Sequence, residues 1–186
     1  MSAPFPVGGP PRPPVLRVPC SLLTPAAYAP YGDVVMAAPP GVPGKPVNQG
    51  TARRYDHLAT LDDLRLGSAA LNVCAFRCQP RPAGPFTVAL LEKHPASTQL
   101  FVPMNAQRYL ALVALGGDRP DLATLAAFVA SGTQGVSYRP GVWHHPMIAL
   151  DAEIDFACFV WEDGSETDCT VATFAEDERP VVDIEG

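Results

Sequence analysis

Two runs in this chain carry side chains whose types and spacing suit proton transfer. The first is Glu92-Lys93-His94. On an extended backbone, residues two apart share a face, so Glu92 and His94 point one way and Lys93 the other. A carboxylate beside an imidazole can fix its tautomer and raise its pKa, which is the basis of an acid–base pair. The second run, residues 135–148, sets Tyr138, Arg139, Trp143, His144 and His145 around a Pro140-Gly141 turn and holds half of the four histidines. Adjacent strand residues face opposite ways, so only one of His144 and His145 enters a pocket easily, while the other faces a loop or an interface. Trp143 beside them supplies an apolar wall. Arg53, Arg54 and Arg139 are candidate carboxylate binders, because a guanidinium holds a carboxylate through two parallel hydrogen bonds. Pairing with surface acids such as Asp56, Asp62 and Asp63 is the competing reading.

For the two runs to form one site, the fold must bring two strands together. The punctuation of the chain favours this: 22 prolines and 15 glycines suit many short strands and turns rather than long helices. Residues 1–14 contain six of the prolines and read as a flexible extension, with order beginning at Val15. Strands are expected over 15–18, 71–77, 86–94, 98–103, 109–115, 135–138, 142–150 and 154–161, the second of them largely buried. A short helix is expected over 21–28, with Thr24 as cap and Pro25 in its first turn. A longer one is expected over 121–132, capped by Asp121, with Leu122, Leu125, Phe128 and Val129 as its apolar stripe and Gly132 as its stop. Eight or more short strands with little helix point to a sandwich or a closed barrel.

At 186 residues the chain suits one domain over 15–186. The net charge of −6, without a Lys/Arg run, argues against nucleic acid or an anionic membrane surface and favours a small-molecule role. The amino terminus lacks a signal-peptide pattern and no apolar stretch is long enough to span a bilayer, so a cytoplasmic protein is expected. Five cysteines, mostly among apolar neighbours, suit reduced thiols better than a disulfide framework. Cys74 and Cys78 lack the second ligand pair of a structural zinc site.

Several segments together resemble the ureidoglycolate lyase family, formerly called ureidoglycolate hydrolase. They include Tyr31-Gly32-Asp33-Val34, Arg54-Tyr55, Leu91-Glu92-Lys93-His94-Pro95, Thr98-Gln99, Phe101-Val102-Pro103-Met104, Gly141-Val142-Trp143-His144-His145-Pro146 and Asp168-Cys169, in order along the chain. Tyr55-Asp56-His57 inverts the usual Tyr-His-Asp order, and Arg139-Pro140-Gly141 stands where the family often has His-Arg-Asn. The resemblance implies a mainly β, cupin-like double-stranded β-helix (a jelly-roll barrel) with a few short helices, usually a homodimer. It implies cleavage of (S)-ureidoglycolate to glyoxylate and urea at the end of purine and allantoin breakdown.

On that reading His94, oriented by Glu92, shares proton transfer with His145 or His144. Arg54 or Lys93 holds the carboxylate, with Arg139 a further candidate; Gln99 and Tyr138 bind the hydroxyl or ureido group; and Trp143 shapes the wall. No metal is assigned and no cofactor is required, with a divalent ion such as nickel as a stimulator. The alternatives are an amidohydrolase that releases ammonia, or a non-catalytic cupin-like module that binds a small carboxylate.

Overall fold

The computed structural model describes residues 14–65, 67–82 and 84–184. Along the chain come β1 (Arg17–Leu22), α1 (Pro25–Tyr28), β2 (Val34–Val35), β3 (Lys45–Val47), β4 (Ala52–Arg54), β5 (Ala70–Cys78), β6 (Phe86–Thr87) and β7 (Leu90–Lys93). β8 (Gln99–Pro103), β9 (Tyr109–Ala114), β10 (Ala126–Ala130), β11 (Gly135–Tyr138), β12 (Trp143–His144), β13 (Ile148–Ala149), β14 (Ile154–Glu162), β15 (Thr170–Thr173) and β16 (Val181–Asp183) follow. Single turns of 3-10 helix lie at Asn48–Gly50, Leu122–Thr124 and Glu176–Glu178. The architecture is mainly β and cupin-like. A nine-stranded sheet runs β15-β7-β12-β9-β10-β1-β16-β6, with β13 also on β9; a five-stranded sheet runs β2-β11-β8-β14-β5; β3 and β4 form a separate hairpin. Only two residues join β6 to β7, so the large sheet must curl to bring its far strands back towards each other.

β9 shows why two cores form. Its sequence Tyr-Leu-Ala-Leu-Val-Ala is apolar on both faces, and all six residues are buried. Tyr109, Ala111 and Val113 join a cluster with Phe101, Tyr138, Phe156 and Cys158 of the smaller sheet, whereas Leu110, Leu112 and Ala114 join Leu91, Trp143, Phe174 and Val182 within the curl of the larger one. The period of two therefore sorts each strand of the large sheet between the inter-sheet layer and the curl.

Close approach explains one motif of the amino-terminal half. A Cβ on Gly32 would lie 1.8 Å from the Ser137 carbonyl oxygen, so only glycine lets the segment after α1 run against β11. The backbone there is bonded by Ser137 N–H to Asp33 O and Arg139 N–H to Tyr31 O.

Two expected helices are shortened. Thr24 does cap α1, accepting from Ala27 N–H, but β1 runs on to Leu22 before it. Asp121 likewise caps, accepting from Ala123 N–H, yet only Leu122–Thr124 turns before the chain becomes β10. β10 pairs antiparallel with β9 and parallel with β1, and these two ladders outweigh a stripe that both periods can accommodate. The first strand begins at Arg17 rather than Val15. The runs 86–94 and 142–150 each break into two short strands, separated by Val88-Ala89 and by His145-Pro146-Met147. β5 is not buried as expected: it stands at the end of the smaller sheet, paired with β14 alone among the described residues, and most of it is exposed. The proline-rich extension assigned to 1–14 lies, except for Pro14, outside the described residues.

Candidate active site

The site grows from the pairing of β7 with β12, where His144 stands directly opposite Glu92. Leu91 and Trp143 occupy the curl, so Glu92 and His144 turn to the inter-sheet side by alternation. His94 follows β7 and shares the face of Glu92. Gly141, in a left-handed turn after Pro140, donates its N–H to the His94 carbonyl and so seats the entry of β12 beside it. From the smaller sheet, Tyr138 and Gln99 are cross-strand partners and present their side chains together.

These residues form a stack. The His144 ring lies parallel to Tyr138, with centroids 3.9 Å apart, and His94 lies beyond it at 5.7 Å. His144 is only 1% exposed. Its Nδ1 lies 3.0 Å from the Val142 carbonyl, and His94 Nδ1 lies 2.8 Å from the Asp168 carbonyl. A carbonyl can only accept, so each Nδ1 carries the proton and each Nε2 presents a lone pair unless the ring is charged. His144 Nε2 sits 3.6 Å from Glu92 Oε1 and has no hydrogen-bond partner. Two lone pairs thus face one another in a buried place, an arrangement that calls for a shared proton, a polar ligand or a cation.

The electrostatics follow from burial and proximity. Burial works to raise the Glu92 carboxyl, but the imidazole of His144, followed by His94 and His145, outweighs it and holds the group below the usual carboxylate range. Burial first, and then His144, push the His94 imidazole below its ordinary value, against the opposing pull of Glu92. The Tyr138 phenol is pushed up by burial and by Glu92, so it remains a neutral hydroxyl. Gln99 Oε1 and the Tyr28 hydroxyl are buried without partners. The liganding atoms of Glu92, His94 and His144 all lie within 4.8 Å of one another, a possible metal-binding triad of two imidazoles and a carboxylate.

Other candidates lie elsewhere. His145 turns to the opposite face, where its ring meets Phe86 edge-on at 5.0 Å and its Nδ1 bonds the Pro146 carbonyl, so of the two adjacent rings it is His144 that faces between the sheets. Lys93 lies over the Trp143 ring and donates to Gly117 O at 2.7 Å, and Trp143 Nε1 donates to the same oxygen. Arg54 is exposed on the β3–β4 hairpin and paired with Asp56. Arg139 donates to Ala29 O and lies 3.9 Å from Asp33.

One contributor escaped the sequence reading. Arg65, with a side chain 9% exposed, places Nη2 2.7 Å from Asp168 Oδ1 and donates from Nη1 to the Trp161 carbonyl. The Asp168 carboxylate also accepts from the N–H groups of Asp163 and Gly164. Arg65 therefore fixes the turn whose carbonyl holds His94. No local spacing announces it, because Arg65 and Asp168 are far apart in sequence.

A mainly β, cupin-like fold with a carboxylate and two imidazoles converging between its sheets defines a chain equipped for small-molecule proton chemistry. The family model for ureidoglycolate lyase matches residues 15–181. The chain belongs to that family. It is 46% identical over 158 residues to the ureidoglycolate lyase of Burkholderia cepacia, covering 84% of each chain. It is 37% identical over 161 residues to that of Pseudomonas syringae pv. tomato, covering 87% of this chain and 92% of the relative. With that of Escherichia coli O1:K1 / APEC it shares 36% over 156 residues, or 84% and 93% of the two chains.

Proposed function

We propose that this protein is a carbon–nitrogen lyase that cleaves (S)-ureidoglycolate to glyoxylate and urea, at the end of purine and allantoin breakdown. The observation that carries the proposal is the convergence of Glu92, His94 and His144, with free imidazole nitrogens, opposite Tyr138 and Gln99, in a chain of this family.

Ureidoglycolate bears a hydroxyl, a carboxylate and a urea nitrogen on one carbon. Its cleavage removes the hydroxyl proton as the carbon–nitrogen bond breaks, and protonates the departing nitrogen. His94, neutral because burial lowers its pKa, is suited to take the hydroxyl proton through Nε2. His144, whose Nε2 faces Glu92 at 3.6 Å, is suited to hand a proton to the urea nitrogen when its ring is charged. The Tyr138 hydroxyl and the Gln99 amide bind the ureido group or hydroxyl. Each such proton transfer contributes factors of about 10² to 10⁴.

The described site places a carboxylate where an anionic substrate must bind, while Arg54, Arg139 and Lys93 are engaged elsewhere. Glu92, His94 and His144 fit a divalent ion such as nickel by donor type and by the unpartnered Nε2 of His144. When bound, that ion would be held by the Nε2 lone pairs of His94 and His144, so it would supply positive charge against the substrate carboxylate in place of the proton steps given above and not together with them.

The chain acts as one cupin-like domain over 15–186 in the cytoplasm, as a homodimer. Support for the dimer comes from β5, whose outer face leaves Leu71 and Val73 40% and 61% exposed beside an edge that is unpaired among the described residues. No helix among the described residues is long and apolar enough to cross a membrane.

The test is product analysis with purified protein and (S)-ureidoglycolate. Equimolar glyoxylate and urea are expected; release of ammonia instead would select an amidohydrolase, and binding without turnover a non-catalytic module.

A further inference from the structure

β5 and β14 set two cysteines directly opposite one another. Cys74 and Cys158 are Cα partners in the antiparallel register. Opposed residues leave a sheet on the same face. Here it is the inner face, where Cys158 is fully buried in the inter-sheet cluster and Cys74 packs against that cluster. Both are free thiols. The Cys158 sulfur lies within interacting reach of the Cys74 thiol and of the Gln99 side chain. Opposed antiparallel residues have Cα atoms roughly 4.5 or 5.5 Å apart, according to whether the pair is hydrogen-bonded, and both separations fall inside the roughly 4.4–6.8 Å window of a disulfide. Cys74 is half-buried on an end strand, whereas Cys158 is shielded, so an oxidant meets Cys74 first.

We propose that Cys74 and Cys158 form a reversible thiol–disulfide site, closed by a hydroperoxide and reopened by a small thiol. The peroxide transfers one oxygen to the Cys74 sulfur as its O–O bond breaks, giving a sulfenic acid and an alcohol or water. The Cys158 sulfur then attacks the Cys74 sulfur, the S–O bond breaks, and the hydroxyl leaves with the Cys158 proton as water. The two thiols lose two electrons and the peroxide gains them. Burial, and then the neighbouring Cys74, push the Cys158 thiol up, which makes closure the slower step. Closure acts on the site between the sheets, because Cys158 lies two residues along β14, on the same face, from Val160, the cross-strand partner of Gln99, so drawing Cys158 towards Cys74 shifts the surface against which Gln99 stands.

The full chain, reduced, is exposed to hydrogen peroxide, and its thiols, intact mass and linked peptides are measured before and after dithiothreitol. The expected result is loss of two of the five thiols, loss of two hydrogens in mass, and a Cys74–Cys158 linked peptide, all reversed by dithiothreitol. Glyoxylate release falls several-fold and recovers in parallel, and Cys74→Ser keeps its activity through the same treatment. The thiol and mass readings hold whatever reaction the protein catalyses, so they fail or succeed separately from the lyase reading. Retention of all five thiols, oxygen added to Cys74 with Cys158 still a thiol, or a different linked pair would overturn the site. A disulfide formed without change in turnover would overturn its connection to Gln99.

Discussion

His94 and His144 differ in how the protein prepares them. Both have Nδ1 engaged by a main-chain carbonyl, but His94 stands at the end of β7 with its pKa lowered by burial, while His144 is held against Glu92 and Tyr138. A lowered imidazole pKa keeps the ring neutral, and competent as a base, to more acidic pH than usual. The acid limb of the kcat/KM profile is therefore expected below the ordinary imidazole value of about 6.5. A profile measured across pH 5 to 8 checks this, and a midpoint above the ordinary value would contradict His94 as the base. Of these features, the shared face of Glu92 and His94 was readable from their spacing alone. The choice between His144 and His145 was not, because it depends on the register of β12 against β7 and β9.

At the scale of elements, the turn between β14 and β15 carries as much of the site as the strands do. Its Asp168 offers a carbonyl to His94 and a carboxylate to Arg65, so the guanidinium positions the imidazole through that turn. Arg65→Met is expected to lower kcat by about tenfold to a hundredfold through misplacement of His94. It should also destabilise the fold by roughly 3 kcal/mol by leaving Asp168 without its charge partner. Steady-state kinetics and urea unfolding measure the two effects, and an unchanged kcat in a folded variant would remove Arg65 from the site. The apolar run 154–161 announced a strand, and β14 spans Ile154–Glu162 with alternate residues buried. The region 121–132 misled, because Leu122, Leu125, Phe128 and Val129 satisfy a helical stripe while pairing on both sides makes Ala126–Ala130 a strand.

For the whole molecule, β5 is where sequence and single-chain structure part company. Its run Leu71-Asn72-Val73-Cys74-Ala75-Phe76 reads as a buried strand, yet one face is left to solvent. In the proposed homodimer a second copy would cover that face. Val73→Glu is expected to turn a dimer into a monomer in light scattering; a wild-type monomer, or a variant that remains dimeric, would contradict this use of β5. Composition and charge pointed to a small-molecule protein, and the order of motifs pointed to the family. The curl of the large sheet was not readable, since it rests on parallel pairing of β1 with both β10 and β16, contacts between distant parts of the chain.

The central claim is that Glu92, His94 and His144, gathered between the sheets, carry the cleavage of ureidoglycolate. Glyoxylate release by His144→Ala and His145→Ala, compared with the parent protein under identical conditions and with each fold verified, tests it most directly. His144→Ala is expected to lose about 10²-fold or more in kcat and His145→Ala far less; the reverse order, or near-parent turnover in His144→Ala, would contradict the claim.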